Sequence, residues 1–360
     1  MTYAEETRAK RWLSMSESLT ERGRRLLLEE AGSARNALAG FDARFRTLIG
    51  DKAYRELSEA ATVLDNTLRR MDALDIRAVV PEDEAFPDRL RQIPDAPELL
   101  YMKGQVGQRP AVASVGSRRD TRYGREMTRR IARDLAEAGV IIVSGLARGI
   151  DTAAHQGAVQ VNGVSGGVLG CGLDSIYPKE NTDLAASMLA LGGCLISEFP
   201  VGAQPLPYHF PRRNRLISGL ADGVLLIEAT LRSGTQSTVN HALEQGRTVF
   251  ALPGNVDAPG SELPLRLLKD GAEICTCASD ILTHLKLDVP IHKAPAVPVP
   301  EAPPTDDPVL RALAREDKTF EELLEETGLA APTLTARLSL LELDGRIDRL
   351  PGRAYAVHRD

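Results

Sequence analysis

From residue 3 to about residue 75, apolar positions recur at the three- and four-residue spacing of helices that bury one face, as in Leu26, Leu27, Leu28 and Ala31, and no proline interrupts them. Gly23, Gly32, Gly40 and Gly50 divide the stretch, which predicts a small all-helical domain of short helices over residues 1–75. From residue 111 the pattern changes. Continuous apolar runs at Ala111–Val115, 140–143, 164–169, Cys194–Ser197, 224–228 and 248–252 alternate with helical stretches. A strand without polar alternation is buried on both faces. The runs therefore predict a multidomain α/β protein whose central domain, 76–286, is a Rossmann-like, doubly wound, mostly parallel sheet. Its first part, 76–110, carries four prolines between residues 81 and 104 and is expected to be an extended, packed connector.

Six prolines interleaved with Ala and Val fill residues 287–305, a composition that favours polyproline II and builds no core. That segment is expected to be a semi-rigid linker. Beyond it, residues 306–360 predict three helices and two short strands around a Pro-Gly turn, the pattern of a winged helix.

Composition narrows the function classes. The 360 residues are 43% hydrophobic and 26% charged, enough for more than one core. Apolar runs are strand-length, well short of the roughly 18 residues of a spanning helix, and the charged N-terminus lacks an apolar signal segment. A cytoplasmic protein with no membrane association is expected. The net charge of −6 means that any nucleic-acid site must be a local patch. The four cysteines offer one C-x-C pair and no second pair at zinc-finger spacing, so neither disulfides, metal nor another cofactor is expected.

In open parallel sheets, ligands bind beyond the carboxyl ends of strands, where turns and helix N-termini present amides. Four turns qualify. VGSRRD follows the first run and contains Gly116, Ser117 and Arg118; SGLARGID uses Gly145 and Gly149; GCGLDSIYPKEN follows the third run. The fourth is ATLRSGTQST, where Ser233, Gly234, Thr235 and Ser237 read as a phosphate-cradling nest opening a helix. Several such turns argue for a phosphodiester or nucleotide ligand. None of the eight lysines follows a glycine, which removes a Walker A loop and ATP hydrolysis through it. The dinucleotide fingerprint is approached only by GCGLDS, where Ser175 replaces the third glycine.

Arginines cluster instead. Arg122, Arg125, Arg129 and Arg133 fall at helical spacing and read as a solvated face. Arg118, and the run Arg212, Arg213, Asn214, Arg215 directly after Phe210, read as ligand-binding, because cations that track a backbone beside a ring that stacks a base suit single-stranded nucleic acid. In the C-terminal region a DNA-reading third helix would present several bases, but this one has only Arg337. Residues 306–360 hold eight Lys/Arg against twelve Asp/Glu. Contact with double-stranded DNA through Arg337, Arg346, Arg349 and Arg353 is weighed there against a protein-interaction role, which the acidic balance favours.

The motifs SVGSR, VSGLARGIDTAAHQGA, GCGLDSIYPKEN, SEFPVG, FPRRNRLISGLADGVLLIEATLRSGT and ALPG closely resemble, in order and spacing, those of the DNA-processing protein A (DprA, also called Smf) family. The resemblance spans residues 86–254, nearly half of the chain. It implies an N-terminal SAM-like helical domain and a C-terminal winged helix around the Rossmann-like domain. It also implies a non-enzymatic role: binding and protecting incoming single-stranded DNA and loading the RecA recombinase in natural transformation, with repair as a further setting. Family members act as homodimers built through the Rossmann-like domain. Carried over by motif, Ser117, Arg118, Lys179, Phe210, Arg212, Arg213, Asn214 and Arg215 line the DNA pocket, and Ser233, Gly234 and Thr235 hold a phosphate. The chain departs from the family at SGTQST, where a motif nearer SGSL-x-T is expected, leaving the contacts of Gln236 and Ser237 open.

Enzyme readings compete with this one. Asp151 and His155 share a helix face with Ser144 just upstream, but spacing alone makes no triad, and His155 is expected to pack or to hydrogen-bond its loop. Glu198 is expected to be a structural acceptor. A nucleoside-monophosphate phosphoribohydrolase is the better enzyme alternative. Its PGG-x-GT turn and following glutamate have only RSGTQSTVNHALE as counterpart. A dinucleotide-dependent oxidoreductase rests on GCG alone.

Overall fold

The computed structural model describes residues 2–287, 307–313, 318–350 and 354–357. Contacts divide the chain into two compact units, Met1–His292 and Lys293–Asp360. The first unit opens with helices Thr2–Ser14 (α1), Glu21–Ala31 (α2), Ala34–Ala39 (α3), Arg46–Ile49 (α4) and Asp51–Ala73 (α5). Their apolar faces close over Trp12, Leu27, Phe45 and Leu57, and the Trp12 indole N–H donates to the Leu57 carbonyl at 2.8 Å. Gly32, Gly40 and Gly50 each end a helix as predicted. Gly23 does not: the Thr20 side chain caps α2 by accepting the Gly23 N–H, so the helix starts before that glycine and runs through it. Nor are all the helices short. No glycine or proline falls between residues 51 and 73, and α5 runs unbroken for 23 residues.

The sheet is built from Arg77–Val79 (β1), Leu100–Gly104 (β2), Ala111–Val115 (β3), Ile141–Ser144 (β4), Ser165–Val168 (β5), Cys194–Ser197 (β6), Gly223–Leu226 (β7), Thr248–Ala251 (β8) and Glu273–Ile274 (β9). The spatial order is β1-β2-β6-β5-β4-β3-β7-β8-β9. Strands from β6 to β9 are parallel, while β2 pairs antiparallel with both β1 and β6. Each apolar run forms a strand, and alternate residues enter opposite cores: Ala113, Val115, Ile141, Val143 and Val224 on one face, Val112, Ile142, Leu225 and Phe250 on the other. That double burial is what the absence of polar alternation demanded.

The proline-bearing connector does more than run extended. It carries the short helix Asp88–Arg91 (α6) and ends in β2, so that the segment from β1 onward adds two antiparallel strands to the sheet. Pro81, Pro87, Pro94 and Pro97 all fall between the two strands, where no ladder hydrogen bond is lost. Arg89 fastens this segment to the core by a two-pronged contact with Asp222 at 2.8 and 2.7 Å, and Asp222 also accepts the Ala111 N–H at 2.9 Å.

The connecting helices are Arg122–Glu137 (α7), Ile150–Gln160 (α8), Thr182–Ala190 (α9), His209–Gly219 (α10), Thr235–Glu244 (α11), Glu262–Lys269 (α12) and Ala278–His284 (α13). From β3 the chain steps outward through β4, β5 and β6, then crosses to β7 on the other side of β3. The strand order reverses there, and the turns after β3 and β7 flank the resulting crevice, the usual ligand position in such sheets. No helix among the described residues is long and apolar enough to cross a membrane.

The second unit contains Pro308–Leu313 (α14), Lys318–Thr319 (β10), Phe320–Thr327 (α15), Ala331–Leu343 (α16), Ile347–Leu350 (β11) and Ala354–Val357 (β12). Its antiparallel sheet has the order β10-β12-β11, packed with Val309, Leu313, Leu323, Leu334, Leu338 and Ile347 in the core. Three helices with a strand pair following the third make a winged helix. Apart from Leu287, the predicted linker lies outside the described residues, as do Arg353 and the Pro-Gly turn.

Candidate nucleic-acid interface

The turn after β3 is fixed from both sides. The Ser117 N–H donates to the Glu228 carbonyl at 2.7 Å, and the Ser117 carbonyl accepts the Ile150 N–H at 3.1 Å. Its hydroxyl accepts the Arg119 N–H at 3.0 Å. The buried Glu228 carboxylate accepts the Thr121 N–H at 2.9 Å and the Thr121 hydroxyl, placing negative charge at the N-terminus of α7, where the helix dipole favours it. The turn leaves Arg119 exposed and, beside it, Arg118. Its guanidinium carbon stands 5.0 Å from the centre of the Phe210 ring, and among the described residues no carboxylate lies within ion-pair distance of it.

Phe210 belongs to α10, and helical spacing splits the basic run that follows it. Phe210 and Arg213 face the carboxyl ends of the strands, whereas Arg212 and Arg215 face Glu198. The Phe210 ring lies 5.8 Å from the exposed Tyr177 ring. It packs over Gly170 so closely that a Cβ there would stand 2.9 Å from its Cδ1. Lys179 is exposed two residues beyond Tyr177 and makes no ion pair among the described residues, whereas its neighbour Glu180 pairs with Arg148. Asn181 anchors this loop to the one after β4, its amide donating to the Leu146 carbonyl and the Thr152 hydroxyl at 2.9 Å each.

Two expectations need correction, and a third in part. Arg213 and Arg215 were expected to face a ligand, but both are buried. Arg213 donates to the carbonyls of Gly145, at 2.9 Å, and Val168, and Arg215 makes a two-pronged pair with Glu198 at 2.7 and 2.6 Å and a further contact with Asp95. The reason is that α10 packs against the sheet, so a run of basic residues cannot all face solvent. Asn214 points to α11 instead, donating to the Ser237 hydroxyl at 3.0 Å. The Ser233–Gly234–Thr235 turn is closed on itself: the Ser233 hydroxyl accepts the Thr235 N–H at 3.2 Å, and the Thr235 hydroxyl donates to the Gly116 carbonyl at 3.1 Å. The Ser233 and Thr235 amides thus have partners already, whereas that of Gly234 has none among the described residues. Only Arg212 of the run stays exposed, over the Phe199 ring at 5.7 Å and 3.7 Å from Glu198.

The candidate hydrolase residues are engaged in structure. His155 is fully buried with Nδ1 2.5 Å from the Ser165 hydroxyl, which itself donates to the Ile142 carbonyl. Burial, with the Arg213 charge adding, pushes its imidazole down to about 3. Ser144 donates to the Ser114 carbonyl at 2.6 Å. Asp151 accepts the Gly145 and Ala147 N–H groups at 3.1 and 3.3 Å; burial raises its pKa against the pull of Arg213 and these bonds. Glu198 is the acceptor that was expected. In the winged helix, Arg337 pairs with the Asp307 carboxylate, which caps α14 by accepting the Val309 N–H at 2.9 Å. Arg346 and Arg349 are exposed.

Tyr177 and Arg148 were not singled out from the sequence. The signal was present for Tyr177, an aromatic two positions from a lysine already placed in a glycine-rich turn. Arg148 has no such cue; its place near the site depends on the β4 and β5 loops meeting.

These features define a doubly wound α/β protein with exposed cations and a tilted ring pair at the carboxyl edge of its sheet, followed in the chain by a winged helix. The chain belongs to the DNA recombination-mediator protein A family, whose sequence profile matches residues 77–286, and a DprA winged helix domain profile matches residues 293–353. It is 42% identical over 323 residues to Protein Smf of Escherichia coli K12, covering 86% of this chain and 84% of that one. It is 42% identical over 206 residues to DNA processing protein DprA of Streptococcus pneumoniae R6, covering 57% and 72% respectively. Among solved structures, DprA of Streptococcus pneumoniae aligns with a TM-score of 0.63 at 34% identity, covering 77% of this chain and 97% of that one. DprA of Helicobacter pylori, whose structure describes a single-stranded DNA binding mode, aligns with a TM-score of 0.53 at 29% identity, covering 59% and 97%.

Proposed function

We propose that this chain binds single-stranded DNA at the crevice beside Phe210, protects it, and delivers it to the RecA recombinase in natural transformation, with repair as a second setting, in the cytoplasm. The observation that carries the DNA reading is the two exposed cations without ion-pair partners among the described residues, Arg118 and Lys179, around the Phe210–Tyr177 ring pair. The contact of Arg118 with the ring is worth about 0.5–1 kcal/mol at an exposed site. A hydrogen bond to a charged group is worth about 1.5–3 kcal/mol, so a phosphate draws the guanidinium off the ring. The vacated face then stacks a base, a contact of about 1–3 kcal/mol. The single-stranded DNA bound by the Helicobacter pylori relative supports the same ligand here.

The role is that of a binding protein rather than an enzyme, since Ser144, Asp151, His155 and Glu198 all serve the fold, and it requires no cofactor. Family kinship supports a homodimer and the RecA partnership. For the winged helix a protein partner is favoured over duplex DNA, because Arg337 is committed to Asp307. Fluorescence anisotropy of labelled oligothymidine and of a matched duplex, at two salt concentrations, tests the reading. Tight, salt-sensitive binding of the single strand is expected. Absence of binding at low salt would overturn it and direct the next assay to nucleoside-monophosphate cleavage.

A further inference from the structure

Arg213 is unlike the exposed cations Arg118, Lys179 and Arg212. Its side chain is buried at 3% exposure, and Nη1 joins two loops by donating to the carbonyl of Gly145 beyond β4, at 2.9 Å, and to that of Val168 at the end of β5. Nη2 presses against Gly145 so closely that a Cβ there would stand 2.6 Å from it and 2.7 Å from Asp151 Oδ2. Asp151 holds the same loop through the Gly145 and Ala147 amides. The planar fork of a guanidinium suits this geometry; an ammonium is a point donor and does not span the same set.

The two ends of this strut border the aromatic ring. The Arg213 guanidinium carbon is 5.9 Å from the Phe210 ring centre, one helical turn along α10. Gly170, on which the ring rests, lies two residues beyond Val168. We infer that Arg213 is a positioning residue: from inside the protein it fixes the Phe210 ring against the β4 and β5 loops in the arrangement that receives a base, and it contacts no phosphate. This inference rests on the single-strand reading of the same crevice. It separates Arg213 from Arg118, although both stand near the same ring.

The two roles differ in their salt dependence. A phosphate-neutralising cation contributes about 0.7 to the slope of log affinity against log salt for a single strand, whereas a positioning residue contributes nothing to it. The test uses the full chain with oligothymidine carrying one 2-aminopurine, and compares wild type, Arg213→Met, Phe210→Ala and the double variant. Arg213→Met should weaken binding by about tenfold, the scale of one lost stacking contact, with an unchanged slope and loss of the 2-aminopurine quenching. Adding Phe210→Ala should then weaken binding by less than about twofold further, since both changes remove one shared interaction. Gly145→Ala keeps the charge but displaces the guanidinium; it should give the same signature to a smaller extent, and it carries the test if Arg213→Met does not fold. A slope shallower by about 0.7 in Arg213→Met, or losses that multiply independently in the double variant, would overturn this inference while leaving the DNA reading in place. Failure of the wild type to bind would overturn both.

Discussion

At the carboxyl edge of the nine-stranded sheet, Arg118 and Lys179 stand exposed beside Phe210, without ion-pair partners among the described residues, whereas in the winged helix Arg337, the one base on α16, is held by the Asp307 carboxylate. Both regions offer basic residues on or next to a helix. The difference lies in what their acidic neighbours are doing. Near the sheet edge, Glu228 caps α7, Glu198 is taken by Arg215 and Asp151 binds backbone amides, so little negative charge is left to quench Arg118. In the winged helix the acidic residue at the start of α14 reaches across to α16 and neutralises its only cation. Counting arginines therefore ranks the two regions poorly; following each carboxylate to its partner ranks them well.

The largest expected difference between the two regions is in acid stability. The folded His155 value of about 3 lies below the ordinary 6.5, so as pH falls below 6.5 the unfolded chain takes up a proton that the folded form refuses. Stability from this group is full above 6.5 and falls by about 1.4 kcal/mol per pH unit on the way to the folded value. Asp307 behaves otherwise. Burial works against its ionisation, yet the hydrogen bonds from Arg337 and from the Leu310 and Val309 amides hold it below the ordinary 3.8, so its contribution persists until pH drops past that value. Acidification should unfold the sheet-bearing unit first. The fluorescence of Trp12, the single tryptophan and part of that unit, reads the transition directly. His155→Gln should shift the transition to lower pH; an unshifted curve would break this part of the comparison.

Next in size is Phe210→Ala, which should weaken oligothymidine binding by about 1–3 kcal/mol, measured by anisotropy. Arg337→Ala sharpens the contrast from the other side. Its partly exposed ion pair supports the winged helix by about 0.5–1 kcal/mol, visible as a lower denaturation midpoint of that unit, while single-strand affinity stays unchanged. The smallest effect is expected for Arg346→Ala combined with Arg349→Ala: less than about a twofold change for oligothymidine or duplex. A loss of duplex affinity in that variant would restore the wing as a DNA contact.

Much of the fold was legible because its signals are local. Double burial writes itself into runs such as 224–228 and 248–252, and glycine-rich turns mark the carboxyl edge. The antiparallel strands β1 and β2 were not legible, because four prolines dominate the segment between them and strand pairing depends on β6, nearly a hundred residues further along. The same limit applies to the site. Arg118 and Phe210 were found through motif and composition, and the structure brings them together. That Arg213 and Arg215 turn inward was not legible, since a run of basic residues does not show which side of its helix the sheet will cover. Nor does the sequence show that the Ser233 hydroxyl takes the Thr235 amide of the turn it helps to form.

The central claim is that the exposed cations beside Phe210 neutralise the phosphates of a single strand. It is tested most directly by the salt dependence of oligothymidine affinity in the wild type and in Arg118→Ala combined with Lys179→Ala. Two lost phosphate contacts should make the slope of log affinity against log salt shallower by about 1.4, with affinity lower at every salt concentration. A slope identical to that of the wild type would contradict the claim and move the DNA site elsewhere on the molecule.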